Sequence, residues 1–167
     1  IYIIVDQTQL YKSIDQGNTW EYLSLPMYSG LQGLSVYSKN DLSLHAYKNM
    51  VTTTDGGDSW ILGPTIENVW WKSTDIASPG IIIGTGTFYD SSTTKGFIYS
   101  SSDYGLSWHI TDTDYENKKV IMTDDKVGYI LSGRKIYKTL DSGISWKVNL
   151  AANSNEGFYQ GSFLDSI

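Results

Sequence analysis

The chain has 167 residues, with 12 Lys and Arg against 18 Asp and Glu, a formal net charge of −6 at pH 7, and no cysteine. The acidic balance argues against generic nucleic-acid or anionic-membrane binding, because both need a basic footprint. Absence of thiols excludes disulfide scaffolds, thiolate zinc sites and cysteine catalysis. Arg134 is the only arginine.

Ile1–Val5 is a β-prone run, far shorter than the ~20 apolar residues of a spanning helix, so no membrane insertion is expected. It carries no leader pattern and is expected to start inside a folded unit. Four octapeptides then recur without gaps: Ser13-Ile14-Asp15-Gln16-Gly17-Asn18-Thr19-Trp20, Thr53 to Trp60, Ser101 to Trp108, and Thr139 to Trp146. They share the pattern [ST]-x-D-x-G-x-[ST]-W, and the steps from Asp15 to Asp55, Asp103 and Asp141 are 40, 48 and 38 residues. Each copy follows an apolar, β-prone pair (Leu10-Tyr11, Met50-Val51, Ile98-Tyr99, Ile136-Tyr137) and leads into a short apolar segment, which places it in a turn between antiparallel strands. Within the turn the Asp carboxylate is suited to accept local N–H bonds. Gly17, Gly57, Gly105 and Gly143 supply positive φ, and Trp20, Trp60, Trp108 and Trp146 bury a large face beside a neighbouring strand.

The strands read in chain order as follows. Repeat one offers Ile1–Val5, Leu10–Ser13 and Thr19–Leu23, with no first strand. Repeat two offers Leu34–Ser38, Leu42–Tyr47, Met50–Thr53 and Ser59–Leu62. Repeat three offers Val69–Ser73, Gly80–Thr87, Gly96–Ser101 and Ser107–Ile110. Repeat four offers Lys119–Thr123, Val127–Ser132, Lys135–Thr139 and Ser145–Val148. No window carries a helical apolar period. A four-strand unit every 40 to 45 residues is the signature of a propeller blade. The expected fold is therefore all-β, one propeller domain over residues 1–167 with blades near 31–63, 68–111 and 118–150, and a first blade of 1–25 completed by 157–167. Pairing of Gly157–Leu164 beside Ile1–Val5 would close the ring and remove its edges. The alternative is a four-blade slice of a larger propeller.

The octapeptide resembles the Asp-box, or BNR, repeat of sialidases, sortilin-type receptors, xyloglucanases and photosystem II assembly factors, and the resemblance runs through all four repeats. It implies a propeller in which the boxes are fold-stabilising turns away from the ligand face, so Ser13, Asp15, Thr53, Asp55, Ser101, Asp103, Thr139 and Asp141 take a structural role along with the box Gly and Trp. A sialidase would hold its substrate carboxylate with three arginines, a planar bidentate recognition that lysine cannot copy. Arg134 alone excludes it. A two-carboxylate glycosidase needs only an Asp/Glu pair across a cleft, but the acids outside the boxes, Asp75 among them, read mostly as solvated loop residues.

Other chemistry is thinly represented. Ile81–Gly86 resembles a dinucleotide loop only superficially, since no helix follows it. His45 and His109 are lone residues beside apolar positions and read as structural. Asp112, Asp114 and Glu116 alternate oxygens that could gather calcium, without the turn Gly or distal Glu of an EF-hand; no other cofactor is indicated. Trp70 and Trp71 are adjacent, so on a strand one faces the core and the other faces out. Trp70, Trp71, Tyr89 and Tyr115 are the ligand-binding candidates, and Tyr28 and Tyr104 are weaker ones. Residues 118–147 hold seven basic side chains against three acids, a basic last blade on an acidic body. The expected function is a non-catalytic interaction or scaffold module, exported or on a particle or virion surface, binding a protein or glycan within a larger chain or assembly. The alternatives are a fragment of a glycoside hydrolase with its catalytic residues elsewhere, and a lectin-like propeller.

Overall fold

In the computed structural model, which describes residues 1–26, 30–89, 94–113, 116–153 and 157–158, hydrophobic alternation produces fifteen strands and no helix among the described residues. The first sheet contains β1 (Tyr2–Val5), β2 (Gln9–Lys12) and β3 (Glu21–Leu23). The second runs β4 (Gly33–Val36), β5 (Leu42–His45), β6 (Met50–Thr53) and β7 (Ile61–Leu62). The third runs β8 (Val69–Ser78), β9 (Ile81–Tyr89), β10 (Thr94–Ser101) and β11 (His109–Thr113), and the fourth β12 (Asn117–Met122), β13 (Gly128–Ser132), β14 (Lys135–Thr139) and β15 (Lys147–Ala151). Each sheet is an antiparallel meander in chain order. This is the blade arrangement of a β-propeller. No helix of the described residues is long and apolar enough to cross a membrane.

The core lies between blades. Leu10 and Leu23 of the first sheet meet Leu44 and Val51 of the second. Met50 meets Val69, Trp71, Ile82 and Tyr99 across the next junction, and Ile83 and Ile98 meet Val120, Ile130 and Tyr137 across the third. Alternate residues of one strand therefore serve two junctions, as with Ile82 and Ile83. The innermost strands are tied together by Asp75 on β8: its Oδ1 accepts from Ser35 Oγ of β4 at 2.8 Å, and its Oδ2 accepts from the Met122 N–H of β12 at 2.8 Å. Asp75 is thus a link between three blades and not the solvated acid its sequence context suggests.

The octapeptides form the turns before the last strand of each blade. In the first, Ser13 Oγ donates to Asp15 Oδ1 (2.8 Å) and accepts from the Gly17 N–H (2.8 Å), while the Thr19 N–H and hydroxyl donate to the two Asp15 oxygens at 2.9 and 2.6 Å. The same set recurs around Asp103 and Asp141. Two consecutive residues take positive φ, as at Gln16-Gly17 (63° and 93°) and Ser142-Gly143 (60° and 81°), so the turn needs more than its glycine. The last strands start later than their hydrophobic pattern suggests, at Glu21, Ile61 and His109. The reason is that the N–H of Thr19, Ser59 or Ser107 is committed to the Asp carboxylate and not to a ladder.

The first sheet has three described strands. Of the segment read from sequence as the closing strand, only Gly157 and Phe158 are described, and the Phe158 N–H donates to the Gly133 carbonyl of the fourth blade at 3.0 Å. Tyr159 to Leu164 lie outside the described residues.

Candidate functional site

The blade topology separates two rims. One carries the octapeptide turns. The other carries the β1–β2 turn at Asp6-Gln7-Thr8, the β5–β6 turn at Ala46–Asn49, the β13–β14 turn at Gly133-Arg134 and the connections into the innermost strands. On this second rim alternation along β8 sends Trp71 inward and Trp70 outward. Trp71 is buried, its ring 4.7 Å from Tyr99 and 5.3 Å from Trp108. Trp71 is therefore core, and it is corrected as a ligand candidate: a ring filling the junction between blades two and three offers nothing to a partner. Trp70 is about half exposed and meets the equally exposed Tyr47 edge to face, with centroids 6.0 Å apart and planes at 72°.

The pair is set on a braced platform. Gly30, at φ 79°, lies so close beneath Tyr47 that an added Cβ would stand 2.5 Å from the ring, so only glycine lets the ring seat there. Asn49 Nδ2 donates to Thr65 Oγ1 at 2.8 Å, and the Ile66 N–H donates to the Lys48 carbonyl at 3.1 Å. Lys48 Nζ donates to Glu67 Oε2 at 2.6 Å. These bonds fasten the β5–β6 turn to the chain entering β8. Behind the platform, His45 is buried, with Nδ1 3.1 Å from Thr74 Oγ1 across the blade junction. Burial pushes its pKa down to about 4, so the ring is neutral. Among the described residues its Nε2 has no hydrogen-bond partner; His109 is exposed on β11.

On the neighbouring blade Lys72 Nζ stands 3.2 Å from Glu116 Oε1. That engagement bears on the suggested calcium group: Glu116 is paired with a lysine, Asp112 is exposed on β11, and Asp114 lies outside the described residues. Among the described residues no three acids or histidines come together as a metal group. Tyr115 and Tyr28 also lie outside, as does the side chain of Tyr89 at the end of β9. Tyr104 sits on the opposite rim, in the third octapeptide turn at φ 61°.

The four box aspartates do not reach this rim. Hydroxyl and N–H donors from Thr19 and then Ser13 hold the Asp15 carboxyl at about 2, and the corresponding donors lower Asp55, Asp103 and Asp141. Trp70 was a candidate from sequence; Tyr47 and Lys48 were not, and Glu67 read only as one of the loop acids. Tyr47 is a tyrosine in a hairpin turn, and its meeting with Trp70 joins two blades that local pattern does not register.

No protein-family model matches the chain, and no curated protein matches it. Solved structures do. The chain is similar to an ancestral GH74 enzyme (TM-score 0.67, 20% identity, 87% of this chain and 22% of that one). It is also similar to a GH74 enzyme from Niastella koreensis (TM-score 0.67, 16% identity, 92% of this chain and 28% of that one). A third is YCF48 bound to D1 peptide (TM-score 0.60, 18% identity, 78% of this chain and 44% of that one). The chain spans less than half the length of each of these structures, and at these identities the likeness establishes the propeller fold.

Proposed function

We propose that this propeller is a non-catalytic recognition module that engages a protein or glycan partner through the rim opposite its octapeptide turns. The observation that carries the reading is the Tyr47–Trp70 pair: two large aromatic faces, exposed, in contact across two blades and braced from below by Gly30. Such a surface stacks on a sugar ring or receives an apolar or proline side chain, and aromatic anchors of this kind dominate binding energy. Support by analogy comes from YCF48, a structural neighbour solved with a peptide bound. The rim glutamates described, Glu67 and Glu116, are each held by a lysine, which suits a recognition surface better than an acid–base pair. In this reading the octapeptides are Asp-boxes, the protein acts outside the cytoplasm or on a particle surface, and no cofactor is required.

Peptide and glycan arrays identify the partner. For the hit, Trp70→Ala and Tyr47→Ala are each expected to weaken binding about tenfold or more, with thermal stability little changed. Unchanged affinity in both variants would refute the proposal. The second reading, part of a glycoside hydrolase, draws on the GH74 neighbours, of which the chain spans about a quarter. Turnover of xyloglucan or fluorogenic glycosides by this chain, abolished by one Asp or Glu substitution, would establish that reading instead.

A further inference from the structure

Three neutral polar side chains of the third and fourth sheets are fully enclosed. Thr87 on β9, Asn117 on β12 and Ser132 on β13 are each 0% exposed. Among the described residues, Thr87 Oγ1, Ser132 Oγ and both Oδ1 and Nδ2 of Asn117 have no hydrogen-bond partner. Buried polar groups of folded proteins are almost always satisfied, and one left without a partner costs stability.

Strand register brings the three to one place. Asp75 pairs with Ile83 on β9, and its Oδ2 accepts from the Met122 N–H of β12, so Ile83 and Met122 stand at one height across the junction. From that height both strands lead toward the rim opposite the octapeptides. Thr87 is four residues from Ile83 along β9, and Asn117 is five from Met122 along β12, where a bulge between Asn117 and Lys119 absorbs the odd residue. Ile83 packs in one cluster with Val120 and Ile130 of the fourth blade. Even spacing keeps Thr87 on the face of Ile83 and Ser132 on the face of Ile130, and Asn117 shares that face as the cross-strand partner of Ser132. Thr87 therefore confronts Asn117 and Ser132 between blades three and four, on the rim side of the apolar cluster. It is also the β9 partner of Trp70.

The chemistry of the group selects its occupant. A carboxamide donates from one arm and accepts at the other, and a hydroxyl does both, so the occupant must donate and accept as well. None of the three side chains carries a charge to hold an ion. Glu116, the residue before Asn117, is already paired with Lys72 at 3.2 Å. Water meets these demands, and an ordered water in a buried polar site makes about three hydrogen bonds. We propose that the rim-side half of this junction is a hydration site, in which a small cluster of ordered waters binds Asn117, Ser132 and Thr87 and joins blade three to blade four. The junction then has two halves of different character: apolar packing of Ile83, Ile98, Val120 and Ile130 toward the octapeptides, and water bridges toward the rim. The bridge also ties the strand paired with Trp70 to the fourth blade.

The sign of a stability change tests this. Thr87→Val removes the hydroxyl at nearly constant shape. Deleting a hydroxyl that has no partner leaves the urea midpoint unchanged or raises it, whereas deleting one bonded to water lowers it. The expected result is a lower midpoint for Thr87→Val and for Ser132→Ala, with a loss in the double variant smaller than the sum. Such coupling, between residues that share no direct bond, reports a shared water. An unchanged or raised midpoint for Thr87→Val overturns the proposal, as do strictly additive losses. A high-resolution crystal structure of the parent chain supplies a second arm that holds even if a variant fails to fold. Water density within hydrogen-bond distance of both Asn117 Oδ1 and Nδ2 is expected, and a carboxamide that bonds Ser132 and Thr87 directly would refute the site.

Discussion

Asp75 shows how much can depend on one side chain. Its two oxygens accept from blades two and four while its backbone belongs to blade three. Asp75→Ala removes charge-assisted bonds and leaves the Met122 N–H without this acceptor; the expected loss is about 2–3 kcal/mol, read by urea denaturation. A loss below measurement error would show that the blades hold together without this link. His45 makes a different contribution. Its pKa, about 4 in the fold, lies below the ordinary 6.5, so the unfolded chain binds the proton more readily. The stability His45 confers is then complete above pH 6.5 and is lost as the pH falls toward 4, by about 3 kcal/mol at the bottom of that window. Urea midpoints of the parent chain and of His45→Gln, compared from pH 7 to 4.5, are expected to show the steeper decline in the parent. The box carboxylates act lower. Asp15, held at about 2 by its hydroxyl and N–H donors, supports the fold fully above an ordinary carboxylate pKa and ceases to do so as the pH drops toward 2. The two windows therefore succeed one another in an acid titration.

Among the elements, the octapeptide turn is the unit most fully written in sequence. Its Ser or Thr, Asp and second Ser or Thr satisfy one another within eight residues, so the turn forms from local bonds alone. The glycine carries a second duty that spacing does not disclose. A Cβ on Gly143 would stand 2.1 Å from Ile83 Cδ1 of the preceding blade, at a φ of 81°. Gly143→Ala is expected to cost about 1–3 kcal/mol in strain alone and to lower the melting temperature. Gly17, whose added Cβ would meet Trp20 and Ile1 at 3.6 and 4.0 Å, should lose less on the same change, because those contacts are ordinary van der Waals distances. Equal losses at the two positions would assign the whole effect to φ. Strand existence and order were legible in the same way, from alternation and the repeated turn. Strand ends were not: β8 runs to Ser78 where the apolar pattern stops at Ser73, because its inner position gives it ladder partners from Ile81 to Phe88.

At the scale of the molecule, the sheets face one another through three shared clusters, and each apolar strand residue is committed to one side or the other. This commitment turns Trp71 inward and leaves Trp70 beside Tyr47. Trp70 was legible as one of an adjacent pair with opposite facings. Tyr47 was not, because its partner is supplied by the next blade and its seat by Gly30, seventeen positions earlier in sequence. The lysines that hold Glu67 and Glu116 were equally hidden, since acids in loops read alike until a neighbour is placed beside them.

The sequence by itself determined the class of fold, because a turn satisfied by its own side chains, repeated every 40 or so residues, specifies four-strand units whatever surrounds them. One arginine and no cysteine are equally independent of geometry. Only the tertiary structure decided which aromatic is presented and which acid ties three blades, because those properties depend on what the adjacent blade brings to each side chain, and adjacency between blades is set by packing across the junctions and not by order along the chain.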